Sequence, residues 1–299
     1  MARSRLTSLT EAANLIPDGA MVGVGGLMLY NKPMALIREL VQLQIRDLTV
    51  LCAAPSTIDV DQLIGAGCAS TVILQSLTAE RVGPVAPRFR ALAQEGRIKV
   101  VDCDQGMINA GMRAGRFGLP SLPTVAGLGG DYADVAPDWV KRIEDPFTGR
   151  PLHAIRAMRP DYAIVHAAVA DELGHAQQLA SPVSDELLCA AADRIIVTAE
   201  QIVPRQAIQQ SRAQTFTWAY KVAAVVEAPY GAHPLGVHGR YHWDGRHVKD
   251  YVELARTEGG FDKYVAKYIS GPDTFPAYLD HVGWDRLLGL RSRAGLFEE

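Results

Sequence analysis

The sequence predicts an α/β fold in which a largely parallel sheet is flanked by helices. Seven short apolar runs rich in β-branched residues recur along the chain, and their hydrophobicity is continuous rather than alternating, which is typical of strands buried on both faces. Helical patterns or glycine and proline breaks separate the runs, as in doubly wound folds. In chain order the runs are MVGVGG, DLTVLCAA, STVILQS, RIKVVDCD, DYAIVHAAVA, DRIIVTAEQI and KVAAVVEAP.

Three of the intervening helices carry start or stop signals. Ser8, with Glu11 three residues later, has the spacing of a capping box. Pro33 stands at the predicted start of a second helix, where its missing N–H does no harm. Gly96 follows a third apolar pattern and is predicted to end that helix.

Two regions depart from this alternation of strand and helix. Residues from about 118 to 160 contain many prolines and glycines with little periodicity, which predicts either a long functional loop or a small excursion from the main sheet. Residues from about 248 to 299 have amphipathic helical patterns, which predict a C-terminal helical extension. We expect one domain over residues 1–299.

Composition limits the classes of partner. The 299 residues carry a net charge of -3, and basic residues occur singly rather than in runs, so neither nucleic acid nor an anionic membrane is expected as a partner. No apolar run has the length of a membrane span or a signal peptide, which favours a cytoplasmic protein. The cysteines are spaced too widely for a CxxC pair and are expected to be reduced; they are Cys52, Cys68, Cys103 and Cys189.

The first predicted strand runs into the glycine loop VGVGGLMLYNKP. A dinucleotide fingerprint needs a third glycine where Met28 stands, and the next strand lacks the expected acidic residue, so a Rossmann site is disfavoured. Gly25 and Gly26 would still allow a ligand to approach the backbone and free amide groups to point at it. The alternative is a tight structural turn.

Other polar candidates do not form a complete active site. Asp102 and Asp104 flank the end of a strand, where open α/β sheets bind ligands, but no third ligand supports a metal. Glycines interrupt a histidine-rich stretch, and no metal is predicted there; its histidines are His233, His238, His242 and His247. His166, within an apolar run, is expected to be a hydrogen-bonded core residue.

No glutamate lies in a glycine-flanked loop that would expose it as a nucleophile. The four considered are Glu80, Glu172, Glu200 and Glu227. No GxSxG, HExxH or Ser-His-Asp pattern is present either, so no catalytic residue is predicted in this chain.

Several stretches together resemble the A (α) subunit of class I CoA-transferases, of the glutaconate and 3-oxoadipate CoA-transferase type. In order they are DGAMVGVGGLMLYNKPMALI, LIGAGCAS, FGLPSLP, DPFTGRPL, RPDYAIVHAAVADELGHA, DRIIVTAEQIV and VVEAPYGAHP. The resemblance implies the NagB/RpiA-like α/β fold and a homologous B (β) subunit that shares the active site. It also implies that a glutamate contributed by the B (β) subunit first attacks the acyl-CoA and then carries CoA as a glutamyl thioester.

By this resemblance the chain moves CoA between an acyl-CoA and a carboxylic acid, in particular a dicarboxylic or 3-oxo acid, with CoA as co-substrate and no permanently bound cofactor. The resemblance implies that the glycine loop lines the acyl group, and that Lys32 can pair with a second carboxylate. A solvated Lys32 is the alternative. The residues that the resemblance places in the cleft are Gly25, Gly26, Leu27, Asn31, Lys32, Ser76, Thr78, Gly129 and Gly130.

One position separates two reactions within the family. Related heteromeric hydrolases, which open a ring in steroid-derived acyl-CoA thioesters, carry a glutamate where this chain has Gln105. Because an amide cannot act as a general base, Gln105 favours transfer and is expected to be a hydrogen-bonding wall residue. A role in a ring-opening hydrolase is the alternative. A noncatalytic binding module with the fold of sugar-phosphate-binding regulators is a third interpretation, and the chain lacks the basic helix-turn-helix that would support it.

Overall fold

A computed structural model describes residues 3–291 of the chain. Its main sheet has seven strands in the order β12-β11-β8-β1-β2-β3-β4, and every neighbouring pair is parallel. The strands are β1 Met21–Val24, β2 Leu48–Cys52, β3 Ala69–Leu74, β4 Lys99–Asp102, β5 Ser121–Thr124, β6 Val140–Glu144, β7 Pro151–Arg156, β8 Tyr162–Ala167, β9 Val169–Ala170, β10 Ala176–Gln177, β11 Arg194–Ala199 and β12 Val222–Glu227. Each predicted apolar run forms one strand of the main sheet, so the predicted fold class is confirmed.

Helices cover both faces of this sheet. The α-helices are α1 Leu9–Ala13, α2 Met34–Gln42, α3 Ile58–Gly65, α4 Pro87–Gln94, α5 Gln105–Phe117, α6 Tyr132–Val135, α7 Asp185–Ala191, α8 Arg205–Gln210, α9 Gly245–Ala255, α10 Gly260–Tyr268, α11 Phe275–Val282 and α12 Trp284–Gly289. Short 3₁₀ helices occupy Glu80–Val82, Arg212–Gln214 and Ala219–Lys221. No helix in residues 3–291 is long and apolar enough to cross a membrane.

The core consists of two apolar layers, one on each face of the sheet. Along β2, Val50 belongs to the layer under α2 and α3, while Leu51 belongs to the layer under α5 and α7. Ile164 and Val165 of β8 divide in the same way. Because both faces are buried, each central strand needs apolar residues at consecutive positions, which explains the continuous runs in the sequence.

The strand order creates a switch point between β1 and β8. From β1 the chain winds outward to β4, and it then returns to β8, on the other side of β1, and winds outward to β12. Val24, the last residue of β1, pairs with Ile164 of β8. Open α/β sheets bind ligands in the crevice at such a point, because the loops diverge there.

The proline- and glycine-rich stretch from 118 to 160 is an excursion from the main sheet. It forms an antiparallel sheet in the order β5-β7-β6. Val140 and Ile155 are buried in the layer under α5, and the amide of Met158 donates to the carbonyl of Gly111 in α5 at 2.9 Å. Of the two predicted possibilities, the excursion is the one observed.

The helical C-terminal region packs on α2 and α3. The guanidinium of Arg38 lies 3.9 Å from the ring centroid of Tyr278, and the hydroxyl of Tyr251 donates to Asp61 at 2.7 Å. The predicted helical extension is confirmed as far as Arg291; residues 292–299 lie outside the described part of the chain.

The local signals read from the sequence are also confirmed. The Ser8 hydroxyl accepts from the amide of Glu11 (3.2 Å), and the Glu11 carboxylate accepts from the amide of Ser8 (3.1 Å), so the capping box is complete. Pro33 immediately precedes α2, and Gly96 follows α4 with φ +68°. All four cysteines are buried free thiols.

Candidate active site

The glycine loop leaves β1 at the switch point, and its backbone amides are already engaged. Four successive amides, of residues 25 to 28, donate to acceptors within the chain, so the predicted free amides are wrong for this loop. Without a free N–H, these positions cannot themselves form an oxyanion hole. The bonds are Gly25 N to Ile164 O (3.0 Å), Gly26 N to Asp185 Oδ1 (2.8 Å), Leu27 N to Tyr30 O (3.1 Å) and Met28 N to Pro55 O (2.9 Å).

Both glycines are required by space, and Gly26 is also required by its backbone conformation. A Cβ on Gly26 would lie 2.6 Å from the carbonyl oxygen of Asn31, and Gly26 has φ +79°. A Cβ on Gly25 would lie 2.9 Å from a carboxylate oxygen of Asp185 and equally close to Val165. The loop is therefore a tight turn. Because the glycines have no side chains, the backbone of the loop itself forms part of the wall of a cleft.

A narrow cleft of ≈ 20 Å³ opens beside this loop. Predicted residues Gly26, Leu27 and Asn31 line one wall. The imidazole of His238 stacks on the ring of Tyr30 with centroids 4.1 Å apart. Sequence reasoning missed the facing wall, because it carries no motif; it consists of Gln178, Ser181, Pro182, Val183 and Asp185.

Asp185 joins the two walls. Its carboxylate accepts from the Gly26 amide and, at 2.8 Å, from the side-chain amide of Gln178. Desolvation raises the pKa of Asp185 to about 6, against the opposing effect of these donors and of the charge on Lys32. Nearby Val183 has φ +45°, a strained conformation for a β-branched residue, and such strain clusters at functional sites.

Lys32 is buried, so the expectation of a solvated side chain is wrong. Its ammonium lies 3.0 Å from Asp59 and donates to the hydroxyl of Ser56 at 2.9 Å, and neither charged side chain is exposed. Asp59 in turn accepts from the amide of Thr57 at 2.6 Å. The ammonium thus has a carboxylate partner within this chain, and the pair anchors the end of the glycine loop to the start of α3.

Ser76 and Thr78 lie beside this anchor. The amide of Ser56 donates to the carbonyl of Ser76 (3.2 Å), and the amide of Thr78 donates to the carbonyl of Ser56 (3.1 Å). The structure therefore brings the segment after β3 next to Lys32, although the two are far apart in sequence. Ser76 is half-buried.

Gln105 is the first residue of α5 and connects two strand ends. Its side-chain amide donates to the carbonyl of Ala53 (2.9 Å) and to Asn109 (3.2 Å), whereas its side-chain oxygen is buried without a partner. Asp104 caps the helix by accepting from the amide of Gly106 (2.7 Å). An unpaired buried acceptor is costly unless a ligand completes it, so Gln105 has a spare hydrogen-bonding position.

Gly129 and Gly130 lie in an exposed loop next to the start of α5. A Cβ on Gly106 would lie 2.9 Å from Ala126, which places this second loop at the same edge of the sheet. Gly129 has φ +89°, and a Cβ there would meet nothing within 4 Å. Neither residue lines the cleft beside Gly26.

His166 is buried and hydrogen-bonded, as predicted. Its Nδ1 lies 2.8 Å from the hydroxyl of Thr198, and its Nε2 lies 2.8 Å from Glu200. The Glu200 carboxylate also accepts from the amides of Tyr230 (2.8 Å) and Gly231 (3.0 Å). A carboxylate held by these donors is a structural anchor rather than a free nucleophile.

Two of the four clustered histidines converge in the fold. Potential ligand atoms of His233, Asp244 and His247 lie within 4.8 Å of one another, in spite of the intervening glycines. However, the guanidinium of Arg286 binds both carboxylate oxygens of Asp244, at 2.8 Å and 2.5 Å. This cation competes for the carboxylate that a metal would need, and the absence of a metal stays a prediction.

Residues 6–227 match the model of the Coenzyme A transferase family, which covers most of the chain. The chain belongs to this family. The predicted family is therefore confirmed, and so is its characteristic fold. A crystal structure of glutaconate coenzyme A-transferase from Acidaminococcus fermentans superposes with a TM-score of 0.92 at 29% identity, covering 98% of this chain and 97% of that one.

Three relatives place this CoA-transferase family member more closely. A protein of Archaeoglobus fulgidus is 33% identical over 96% of this chain, but the chain spans only 64% of that protein's length. The A subunit of the A. fermentans glutaconate CoA-transferase is 30% identical over 98% of this chain and 96% of its own length. The cholesterol ring-cleaving hydrolase IpdA subunit of Rhodococcus jostii is 30% identical over 91% of this chain and 94% of its own length.

Proposed function

We propose that this chain is the A subunit of a heteromeric CoA-transferase, which moves CoA between an acyl-CoA and a carboxylic acid. The observation that supports this most strongly is the full-length likeness, in sequence and in structure, to the A subunit of a glutaconate CoA-transferase. The A subunit of a 3-oxoadipate CoA-transferase from Pseudomonas knackmussii is also 30% identical over 92% of this chain. A dicarboxylic or 3-oxo acid is accordingly the proposed class of acceptor.

The engagement of the acidic residues supports a nucleophile on a second chain. The carboxylates of Asp59, Asp185 and Glu200 each accept hydrogen bonds or pair with a cation within the chain. A carboxylate nucleophile must instead be free to attack the thioester carbonyl. The proposed B subunit therefore supplies the glutamate, and the two chains share the cleft, with coenzyme A as a substrate rather than a resident cofactor.

In this proposal the glycine loop acts as a preformed wall. Gly26, Met28 and Asn31 all have positive φ, and the bonds to Asp185 and Asp59 hold the loop in this conformation. A rigid wall positions the acyl group against the incoming carboxylate without ordering cost during the reaction. Ser76, Thr78 and Gln105 are proposed to line the same edge, while Gly129 and Gly130 approach the substrate only when the partner is bound.

A second candidate function is ring-opening hydrolysis of a cyclic acyl-CoA, which the similarity to the ring-cleaving hydrolase of R. jostii favours. That reaction needs a base to activate water or to remove a proton. Gln105 has an amide group whose donors are bonded to Ala53 and Asn109 and whose oxygen is buried, and an amide cannot be that base. Transfer is therefore the function that this site supports better.

Activity with and without an acceptor separates the two candidates. The chain should be co-expressed with its B subunit, and the CoA thioesters separated and quantified after incubation with an acyl-CoA alone, with a cyclic acyl-CoA alone, and with a dicarboxylic acid added. We expect transfer only from the pair and only with an acceptor. Addition of water to the cyclic acyl-CoA by the pair without an acceptor supports ring-opening hydrolysis instead, and full transfer by this chain alone contradicts the proposal.

A further inference from the structure

A second cavity, distinct from the cleft beside Gly26, opens at the carboxyl ends of β11 and β12. It has a volume of ≈ 410 Å³, and Glu200, Tyr230, Arg240, Tyr241 and Arg291 contribute to its walls. Two arginines and two tyrosines thus face one space at the edge of the sheet where open α/β folds bind ligands. No residue predicted from the sequence accounts for this cavity.

The guanidinium of Arg240 is incompletely bonded. Its Nε is buried and has no hydrogen-bond partner, and its one recorded bond is a long contact of 3.4 Å to the carbonyl of Ala168. None of the ion pairs found among residues 3–291 includes Arg240. The described part of the chain therefore gives this guanidinium little hydrogen bonding and no carboxylate partner.

The other charged groups of the cavity leave this positive charge in excess. Arg291 donates to the hydroxyl of Tyr230 at 3.0 Å, a neutral partner. Glu200 is the acidic residue in the wall, but its carboxylate is directed to His166, to the hydroxyl of Tyr241 and to two backbone amides. Two guanidinium groups therefore face the cavity against one carboxylate that is already saturated with donors.

We propose that this cavity binds an oxyanion, a carboxylate or a phosphate group, held by Arg240 and Arg291. A guanidinium matches both groups because it offers two parallel N–H donors to two oxygens. Tyr230, bonded to Arg291, adds a hydroxyl at the same wall.

Neighbouring residues of one loop line the cavity and the cleft. His238 lines the cleft and Arg240 lines the cavity, and a Cβ on the intervening Gly239 would lie 2.8 Å from a methyl group of Leu179. Leu179 follows Gln178 of the cleft. If the proposed function holds, the anion is therefore part of a substrate: either the carboxylate of the acid or a phosphate of CoA.

Binding of simple anions tests the site independently of catalysis. Inorganic phosphate and glutarate are titrated calorimetrically into the chain as purified with its partner, for wild type, Arg240→Gln, Arg240→Lys and the exposed control Arg246→Gln. We expect about tenfold weaker binding of at least one anion in Arg240→Gln, partial recovery in Arg240→Lys, and wild-type affinity in the control. No saturable binding to wild type, or equal losses in Arg240→Gln and Arg246→Gln, overturns the proposal.

Steady-state kinetics then identify the source of the anion. If the bound anion is the carboxylate of the acid, Arg240→Gln should raise KM for the acid with little change in kcat. If it is a phosphate of CoA, the variant should raise KM for the thioester instead. If the pair binds phosphate through Arg240 but has no transferase activity, the anion site stands and the proposed function fails. If transfer occurs but both KM values and anion binding are unchanged by Arg240→Gln, the site fails and the proposed function stands.

Discussion

Two glycine loops lie at the same edge of the sheet, and they differ in what holds them. Gly26 has positive φ and no room for a Cβ, and its amide donates to buried Asp185. Gly129 also has positive φ, but it is exposed and a Cβ there would meet nothing within 4 Å. Gly26 is therefore fixed by close contacts within this chain, whereas a side chain at Gly129 would meet none.

The charges near each loop show the same difference. Lys32 ends the first loop in a fully buried pair with Asp59, while Arg142, near the second, pairs with Asp134 with both side chains more than half exposed. Removing one member of a buried pair leaves an uncompensated charge, but exposed pairs contribute little. The first loop is thus expected to respond strongly to substitution and the second weakly.

The largest effect is expected for Lys32→Met. Asp59 would then be buried without its cation, and such losses cost roughly 3–5 kcal/mol of unfolding free energy. Urea unfolding measures the change. Arg142→Met is the matched control and should cost about 0–1 kcal/mol. Equal losses in the two variants would contradict the contrast between the loops.

The second-largest effect is expected for Gly26→Val. The valine would meet the carbonyl of Asn31 and would adopt a left-handed backbone, so we expect a loss of about 3 kcal/mol together with a fall in turnover. Gly129→Val, with positive φ but open space, should cost roughly 1–2 kcal/mol. Unfolding and turnover are measured alongside the association of the two chains. If Gly26→Val weakens association of the two chains as much as it lowers turnover, the Gly26 loop has only a structural role.

Asp185→Asn tests the link between the loop and the facing wall through pH. Because the folded-state pKa of Asp185 is raised to about 6 from 3.8, its contribution favours folding at low pH and is lost as the pH rises through 6. Between pH 4 and pH 8, the change in unfolding free energy should be smaller in the variant than in wild type by about 2 kcal/mol. Thermal unfolding across that range measures it.

Asp61→Asn is the control for this pH experiment. Asp61 is equally buried and has its pKa raised to about 6, but it bonds to Tyr251 and to α4 rather than to the glycine loop. The Asp61→Asn variant should flatten the pH dependence of stability without altering the pH dependence of kcat/KM. If Asp185→Asn also leaves the pH profile of kcat/KM unchanged, Asp185 has no role in positioning the loop.

The smallest effect is expected for Gly129→Ala. Open space limits the cost to the strain of positive φ, about 1 kcal/mol, and turnover should stay within about twofold of wild type. Unfolding and kcat are compared with those of Gly26→Ala, which adds a contact with Asn31. A larger loss of kcat in Gly129→Ala than in Gly26→Ala would show that the exposed loop is the more important wall.

The sequence predicted the main sheet well because burial on both faces leaves a continuous apolar run in each strand. It predicted the glycine loop as a turn or a wall, but not that its amides are engaged, because their acceptors lie far along the chain; Ile164 and Asp185 are examples. The expectation of a solvated Lys32 was wrong for a related reason: its partner Asp59 follows another strand. Burial of a charge depends on tertiary contacts that a local pattern does not contain.

No sequence pattern predicted the wall of the cleft that faces Gly26 or the second cavity, which Arg240 lines. Asp185 and Arg240 are ordinary charged residues in their local context. Only the fold shows that Asp185 is buried against Gly26 and that Nε of Arg240 lacks a hydrogen-bond partner. Periodicity locates elements of the fold. It does not locate the side chains that distant loops bring together.

Trapping of the covalent intermediate tests the central claim most directly. The pair of chains is incubated with an acyl-CoA, the glutamyl-CoA thioester is reduced with borohydride, and peptides of both chains are examined by mass spectrometry. Our account predicts a reduced glutamate in the peptides of the partner and none in those of this chain. A reduced glutamate on this chain, or acyl-CoA turnover with no trapped glutamate on either chain, would contradict it.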